Sequence, residues 1–326
     1  MLPSPMFNRG RARGALLGLA VGDAMGTTQE FSRPDAPAFP ALARGPQRDI
    51  VGGGPFDLEP GQVTDDTQMA TCLAASLRQR RGFDVIDVAA RYVAWQRHAF
   101  DIGGQTSSAL DAIERGTSPR EAGRDVWEAG GRNAAGNGSL MRTAPIGVFF
   151  ASDLERLRQA SREDSAVTHF DERCQQACVA FNAAIATAIS TSGDVDPERI
   201  WRSARDEVSR PDLVDDLEHA RRDDPDLLGD DLHLHEHQGF VRVAFRLAFW
   251  ELLHAPSIEA ALIDVVNRGG DADTNGAIAG ALLGAVRGER AIPARWRRLV
   301  LHALEDAAPS ALRDIYHPAR LLDLVP

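Results

Sequence analysis

Apolar residues recur every three or four positions along most of the chain, and the period-two alternation of exposed strands is not seen. This spacing predicts a helix beginning at residue 10, a short one opened by Pro119, and helices over 69–80, 84–99, 107–115, 153–162, 171–190, 197–208, 241–253, 257–267, 272–287 and 293–304. We therefore expect an all-α protein with one domain over residues 10–326, preceded by a loose tail over residues 1–9.

Two of the predicted helices carry a glycine at every fourth position, which places the glycines on one face. They are Gly14, Gly18, Gly22 and Gly26 in the first helix and Gly276, Gly280, Gly284 and Gly288 in the second. A face without side chains lets another backbone come close. The apolar stretches are too short for a pair of membrane spans. We expect two central helices that pack at short distance, either against each other or against neighbouring helices.

Two stretches interrupt the helical pattern. Residues 27–62 contain six prolines and the run Gly52-Gly53-Gly54, and they predict a loop. Residues 210–237 are acidic and rich in turn formers, so we expect a solvated surface excursion there. Within it, His233-Leu234-His235-Glu236-His237 raises the possibility of zinc, although alternate histidines in an acidic loop are more often a solvated tract.

Charge and cysteine content narrow the classes of function. A net charge of −11 disfavours a nucleic-acid partner. The apolar run after Arg13 ends at Asp23, which is short for a secretion signal and far too short to cross a membrane. Cys72, Cys174 and Cys178 do not make a disulfide framework and fit a reduced interior. We expect a soluble, cytoplasmic monomer that binds neither nucleic acid nor a membrane.

The richest chemistry lies at the start of the second glycine helix. Gly269 and Gly270 precede Asp271, Asp273 and Thr274, so two carboxylates and a hydroxyl follow a tight turn. Asp and Thr suit a helix start, where backbone N–H groups lack partners. Capping needs only one of these side chains. The surplus oxygens indicate a divalent cation of the Mg²⁺ or Mn²⁺ type.

A second predicted helix start, Thr64-Asp65-Asp66-Thr67, repeats the pattern. By itself it is explained by the favourable placement of carboxylates at a helix N-terminus. Two such segments, each beside a helix of small residues, predict that four carboxylates and two hydroxyls surround a pair of metal ions. Glu30, which follows the first glycine helix, is a candidate additional ligand or acid–base group.

Three further segments are weaker candidates. Gly136-Asn137-Gly138-Ser139 offers backbone N–H groups and a hydroxyl to an anion, with Arg142 one turn further on. The loop from Asp101 through Gly103 precedes the helix predicted over 107–115. His169 alone is more often a structural histidine than a functional one.

Taken together and in order, these segments resemble the ADP-ribosylglycohydrolase family. The matching motifs are Gly18-Leu-Ala-Val-Gly-Asp23-Ala-Met-Gly26 with Glu30-Phe31, Thr64-Asp-Asp-Thr67, Asp101-Ile-Gly-Gly, Gly136-Asn-Gly-Ser-Leu-Met-Arg142, Thr168-His169, Gly239-Phe240-Val241 with Phe249-Trp250, and Gly269-Gly-Asp-Ala-Asp-Thr274. The likeness spans about residues 12–300, and the first and last acidic motifs together are highly specific.

The resemblance implies a compact, single-domain orthogonal helical bundle with two Mg²⁺ or Mn²⁺ ions in a cleft that binds ADP-ribose. By position, the implied metal ligands are Thr64, Asp65, Asp66, Asp271, Asp273 and Thr274. The implied catalytic residues are Glu30, Asp65, Asp66 and Asp271, with Glu30 as a gate or acid–base group. The implied substrate contacts are Asp101, Gly103, Gly136, Asn137, Gly138, Ser139, His169 and Phe240.

The activity that the resemblance implies is hydrolysis of an α-linked ADP-ribose from a modified protein side chain, with ADP-ribose as the product. The loop at Asp101 resembles that of the arginine-specific branch, and a carboxylate there can pair bidentately with a guanidinium. Arginine is therefore the expected acceptor. Two alternatives stay open: the same scaffold acting on ADP-ribosyl-serine or O-acyl-ADP-ribose, and a non-catalytic ADP-ribose-binding protein.

Overall fold

Helices form nearly all of the regular structure in the computed structural model, which describes residues 7–33, 47–224, 228 and 232–325. They are α1 (Arg9–Gly26), α2 (Asp65–Arg80), α3 (Val85–Gln96), α4 (Gly104–Glu114), α5 (Ala122–Ala129), α6 (Ala144–Phe149), α7 (Leu154–Thr168), α8 (Glu172–Ser190), α9 (Pro197–Arg205), α10 (Pro211–Ala220), α11 (Val241–His254), α12 (Ile258–Asn267), α13 (Ala272–Arg287), α14 (Ala294–His302), α15 (Ala311–Asp314) and α16 (Pro318–Leu321). Within those residues β pairing is limited to two isolated bridges, Gly53 with Leu58 and Gly136 with Phe240. The all-α prediction is confirmed.

Helices α1 and α13 form the centre of the fold and lie against each other along their glycine faces, which is one of the two predicted arrangements. A Cβ atom on Gly18 would overlap the carbonyl group of Gly280, and one on Gly22 would overlap that of Gly276. Only glycine permits this backbone contact. From Ala12 to Gly26, nearly every residue of α1 is buried. The apolar run after Arg13 is thus an interior helix.

Helix boundaries differ from the predictions where buried polar residues hide the pattern. Helix α2 begins at Asp65 rather than at 69, and α7 continues to Thr168 rather than ending at 162. The last turns of α7 bury Asp164 and Ser165. Both are residue types typical of a protein surface, but here they form hydrogen bonds inside the core. Pro119 lies in the turn before α5 and does not open that helix.

The expectation of a solvated excursion over 210–237 is wrong for its first half, which forms α10. Leu213, Leu217 and Ala220 are buried on one face of that helix. Asp216 is fully buried beside them and accepts hydrogen bonds from Arg242 at 2.7 Å and Arg246 at 2.7 Å. The many acidic residues of this segment make the apolar stripe hard to recognise in the sequence. One of them, Asp216, lies on the buried face itself as an ion-pair partner. Residues 225–227 and 229–231 lie outside the described residues.

The predicted tail over 1–9 falls mostly outside the described residues, which begin at 7. Asn8 already caps α1, its side chain accepting a hydrogen bond from the backbone N–H of Arg11 at 3.1 Å. Among the helices described, none is both long enough and apolar enough to cross a membrane. Residues 34–46, the proline-rich part of the loop predicted over 27–62, lie outside the described residues.

Candidate active site

A cavity of about 320 Å³ opens where the N-terminal ends of α2, α4 and α13 approach one another. Its walls bring together segments that are far apart in sequence. They are Glu30, Phe31, Asp65, Asp101, Ile102, Gly103, Gly104, Gln105, Thr106, Gly136, Asn137, Gly138, Met141, His169, Gly239, Asp271, Asp273 and Thr274. Most residues singled out from the sequence therefore face one cavity.

The start of α2 presents Thr64, Asp65 and Asp66, all buried, toward α13. The Thr64 hydroxyl lies 3.0 Å from an Asp66 carboxylate oxygen and 3.3 Å from one of Asp273. The other oxygen of Asp66 is buried without a hydrogen-bond partner. An unpaired carboxylate oxygen at this depth is costly, and a bound cation would offset that cost.

Asp23 of α1, which is not among the predicted site residues, organises this helix start. Its carboxylate accepts hydrogen bonds from the backbone N–H of Thr64 at 3.0 Å and that of Thr67 at 3.1 Å. It also accepts hydrogen bonds from the side-chain hydroxyls of Thr64 and Thr67. The signal that marks this position is a single carboxylate in an otherwise apolar, buried helix. Its oxygens are occupied by these donors, and it positions the α2 motif.

Replacing Asp23 with asparagine is expected to lower the free energy of unfolding by about 1–3 kcal/mol, because an amide nitrogen would face buried N–H donors. Hydrolytic activity should fall as well, since the α2 motif loses its anchor. Urea unfolding measures the first effect. The same change at the exposed Asp125 of α5 is the control. Equal unfolding midpoints for the Asp23 variant and wild type would contradict the positioning role.

The start of α13 faces the α2 motif across the cavity. Glu30 caps it: its carboxylate accepts a hydrogen bond from the backbone N–H of Ala272 at 2.7 Å. The carboxylate of Asp273 accepts one from the backbone N–H of Thr274 at 2.7 Å. Asp271 accepts one from the side-chain amide of Asn137 at 2.7 Å, so the glycine loop contacts the acidic motif directly.

The two motifs converge on two overlapping groups of carboxylates. Oxygens of Asp23, Asp66 and Asp273 lie within 4.8 Å of one another, and so do oxygens of Glu30, Asp271 and Asp273. Asp273 belongs to both groups. This spacing suits oxygen ligands that surround hard divalent cations. Together with the unpaired Asp66 oxygen, it shows that the residues present fit a metal centre.

The electrostatics of the cluster agree with that fit. Burial raises the pKa of Asp66 well above its ordinary value, and the charges of Asp273 and Asp23 raise it further. The pKa of Asp273 is raised by burial and by Asp271. Burial, followed by the charges of Asp273 and Asp271, raises the pKa of Glu30. So many buried carboxylates repel one another, and bound cations would relieve this repulsion.

The glycine loop, residues 136–138, forms the opposite wall. Its backbone is held by the N–H of Asn137 donating to the carbonyl of Gly239 at 2.9 Å and by the bridge between Gly136 and Phe240. The ring of His169 lies directly behind the loop, because a Cβ atom on Gly138 would come within 2.8 Å of its Cε1. Glycine is thus required here by close contact with the imidazole.

His169 is buried, and its Nδ1 lies 2.8 Å from the hydroxyl of Thr168. Burial, assisted by the charge of Arg142, lowers the pKa of His169 to about 3. The imidazole is therefore neutral near pH 7. A neutral ring can accept or donate one hydrogen bond on the cavity side without adding charge.

Substituting His169 with glutamine is expected to flatten the acid dependence of stability. Because the folded pKa lies below the unfolded value of about 6.5, the unfolded chain binds the proton first as pH falls. Wild type should therefore lose about 3 kcal/mol more than the variant between roughly pH 6.5 and pH 4. Urea unfolding at several pH values measures the difference, and parallel curves for the two proteins would contradict the assignment.

Asp101 and the start of α4 complete the cavity. Gly103 is the N-cap of α4, so the free N–H groups of that helix open toward the cavity wall. Gln105, not singled out from the sequence, accepts a hydrogen bond from the backbone N–H of Gly136 at 3.3 Å. Burial, with the charges of Asp271 and Asp23, raises the pKa of Asp101 to about 7.

Three predicted anion or substrate contacts do not face the cavity with their side chains. The Ser139 hydroxyl is buried 2.9 Å from that of Ser165. Arg142 is also buried: it donates to Asp164 at 3.2 Å and to the carbonyl of Gly138 at 3.2 Å. Phe240 stands outside the cavity wall, and its ring contacts two arginines, with guanidinium carbons 5.5 Å and 5.9 Å from the centroid. In irregular segments such directions depend on partners distant in sequence.

Comparison with known proteins agrees with this architecture. The family profile described as ADP-ribosylglycohydrolase matches residues 4–322. The ADP-ribosylarginine hydrolase Tri1 of Pseudomonas putida (strain GB-1) is 32% identical over 294 residues, which cover 88% of this chain and 73% of that protein. The ADP-ribosyl-[dinitrogen reductase] glycohydrolase of Rhodospirillum rubrum is 31% identical and is covered to 88%, as is this chain.

The fold is shared with a solved structure as well. A chain of an ADP-ribosylglycohydrolase-related protein complex superposes with a TM-score of 0.72 at 30% sequence identity, over 96% of this chain and 97% of that one. Sequence profile, curated relatives and fold therefore agree across most of the chain. The chain belongs to the ADP-ribosylglycohydrolase family and is a glycohydrolase enzyme.

Proposed function

We propose that the protein hydrolyses the bond between ADP-ribose and a modified arginine side chain of another protein. The observation that carries the proposal is the meeting of the two acidic helix starts with the glycine loop and Asp101 in one cavity. Relatives named as ADP-ribosylarginine hydrolases support arginine as the acceptor. Family membership by itself supports only the broader class of ADP-ribose linkages.

Two divalent cations, Mg²⁺ or Mn²⁺, would be held by the six residues predicted for that role: Thr64, Asp65, Asp66, Asp271, Asp273 and Thr274. Asp273 lies near Asp66 in one carboxylate group and near Asp271 in the other, and this position between two proposed ligands supports a pair rather than a single ion. Bound cations would polarise substrate oxygens and favour ionisation of water. The surrounding carboxylates would stabilise the oxocarbenium-like charge that develops at the anomeric carbon.

The remaining wall would orient the substrate. The backbone N–H groups of Gly136, Asn137 and Gly138, together with the N-terminal end of α4 at Gly103, suit the diphosphate. For Ser139 the proposal is confined to its backbone, because its hydroxyl is in the core. His169, neutral and behind the loop, would lie near the nucleotide.

Two carboxylates would act on the leaving group. Asp101 would pair with the guanidinium of the modified arginine, which supplies two parallel N–H donors. Glu30, at the edge of the acidic cluster, would transfer a proton to the departing nitrogen as a general acid. Phe240, whose ring is outside the cavity wall, would influence substrate preference only through its neighbour Gly239.

The testing experiment is a release assay on defined linkages. Chelator-treated protein is supplied with Mg²⁺ or Mn²⁺ and offered ADP-ribosyl-arginine, ADP-ribosyl-serine and O-acyl-ADP-ribose. We expect metal-dependent release of ADP-ribose from the arginine linkage. Preferential cleavage of the serine or acyl linkage would show that arginine is not the preferred acceptor. Calorimetric binding of ADP-ribose without turnover on any linkage would replace hydrolysis with a binding function.

A further inference from the structure

Three phenylalanine rings stand in a row beside the cavity, and we call Phe31, Phe56 and Phe100 the phenylalanine rim. Phe56 is the middle ring, with its centroid 6.3 Å from that of Phe31 and 5.8 Å from that of Phe100, both in edge-to-face geometry. Phe31 is 54% exposed and Phe100 36% exposed. Phe56 is half-buried between them. A row of partly exposed aromatic rings beside a cavity indicates an interaction site.

The rim is held in place by its backbone. Phe31 has a φ of 59°, a region that bulky residues avoid, and its N–H donates to the carbonyl of Gly270 at 2.7 Å. The backbone of Gly270 in turn donates to the carbonyl of Ser32 at 3.0 Å. The strained conformation keeps an exposed aromatic side chain at the cavity edge, and such strain is concentrated at functional sites.

The loop that carries Phe56 is equally fixed. Gly53 and Leu58 exchange two backbone hydrogen bonds, of 2.8 Å and 3.0 Å, which close the turn around Phe56. The hydroxyl of Thr28 donates to the carbonyl of Gly52 at 2.9 Å. Gly54 approaches the backbone of Thr27 so closely that a Cβ atom there would overlap it. The rim is therefore a preformed surface, which lowers the entropic cost of binding.

The position of the rim determines what it meets. Phe31 follows Glu30 and itself lines the cavity, while Phe100 precedes Asp101. A cavity of about 320 Å³ excludes a folded polypeptide. If an ADP-ribosylated arginine places its guanidinium at Asp101, the polypeptide that carries the arginine must cross the adjoining outer surface, and the rim forms part of that surface.

We propose that the phenylalanine rim binds an apolar side chain next to the modified arginine of the protein substrate, an inference that rests on the proposed function. Apolar contact at the rim accompanies charge complementarity around it, because Asp101 and the exposed Asp57 attract a basic segment. Aromatic side chains dominate binding where they anchor a partner. The rim thus recognises the residues that flank the modified arginine, whereas the cavity binds ADP-ribose.

The test compares three substrates with wild type and with Phe56→Ala, because Phe56 lies outside the cavity wall. The substrates are free ADP-ribosyl-arginine and two peptides ADP-ribosylated on arginine, one with leucine and one with serine on either side of that arginine. Wild type should cleave the leucine peptide with a KM about tenfold lower than the serine peptide. Phe56→Ala should remove this preference and leave kcat/KM for free ADP-ribosyl-arginine within about twofold of wild type.

Two control variants sharpen the result. Phe56→Leu keeps an apolar group and should retain part of the preference. Ile86→Ala removes a side chain that is 58% exposed on α3 and outside the cavity wall, and it should behave as wild type.

Several outcomes would overturn the proposal. One is a wild type that cleaves both peptides equally. Another is a Phe56→Ala variant that loses the same factor on free ADP-ribosyl-arginine, which would make the rim a support of the cavity. A change from dimer to monomer in light scattering, without a change in peptide preference, would assign the rim to self-association. If wild type cleaves none of the substrates, the proposed function fails and the rim proposal fails with it. Cleavage of free ADP-ribosyl-arginine preserves the proposed function, whichever peptide is preferred.

Discussion

An Asp273→Asn variant is expected to lose about 10³-fold or more in kcat/KM, the largest effect on activity that the site predicts. Asp273 belongs to both carboxylate groups, so one substitution weakens both proposed metal positions. Losing about 4 kcal/mol of transition-state stabilisation corresponds to this factor, and a metal centre supplies several kcal/mol. The asparagine oxygen can still accept the hydrogen bond from the backbone N–H of Thr274. The local structure should therefore survive.

The same variant should be more stable than wild type when no metal is present. Removing one buried charge from a cluster of repelling carboxylates is expected to raise the free energy of unfolding by about 1 kcal/mol or more. Thermal unfolding with chelator measures the stability without metal, and unfolding with Mg²⁺ or Mn²⁺ measures the gain that the ion provides. Wild type should gain stability from the ion, and the variant should gain little.

The exposed Asp125→Asn is the matched control for Asp273→Asn, and it should change neither activity nor the response to ions. An Asp273→Asn variant with wild-type turnover would remove Asp273 from the reaction. A variant that is still stabilised by Mg²⁺ or Mn²⁺ as strongly as wild type would show that the ions bind elsewhere.

Replacing Gly22 with valine is expected to cost at least about 4 kcal/mol, most of the stability of a typical domain. A Cβ atom at this position would overlap the backbone of Gly276, and two central helices cannot separate without losing the core between them. We expect little soluble protein, with any that folds unfolding at a much lower urea concentration.

Gly10→Ala in the same helix is the control for Gly22→Val. A Cβ atom on Gly10 would meet only the Asn8 side chain, at 3.4 Å. Alanine there should be neutral or stabilising by up to about 1 kcal/mol, because it is the better helix former. Equal urea midpoints for Gly22→Val and wild type would mean that α1 and α13 do not depend on direct backbone contact.

Periodicity predicted most of the long helices but missed α6 and α10. Glycine spacing predicted that α1 and α13 pack at short distance, but it did not decide whether their partners are each other or neighbouring helices. Both signals are local, because a 3.6-residue period or a four-residue repeat marks one face whatever lies opposite. The acidic motifs were recognisable for a related reason: each has more oxygen atoms than its helix start can use. They also lie together at one cavity, although their roles as ligands are still a proposal.

The sequence was less informative wherever a side chain's direction depends on distant partners. Arg142 was expected near an anion, but Asp164 and the ring of Tyr92 hold it in the core. Asp23 contacts Thr64 and Thr67 from another helix, which no local pattern reveals. In α10, Asp216 looks like a surface residue until its arginine partners are known.

The backbone contact between α1 and α13 also affects how the protein is made. Helix α1 leaves the ribosome well before α13, which covers its glycine face, because α2 to α12 lie between them in the sequence. All of these helices must therefore be synthesised before the central pair can form, and closing so long a loop slows folding. The acidic motif at the start of α13 is made after the one at the start of α2, so a chain that stops before α13 lacks part of the candidate site. Until α13 emerges, the buried face of α1 needs protection by other nascent segments or by a chaperone.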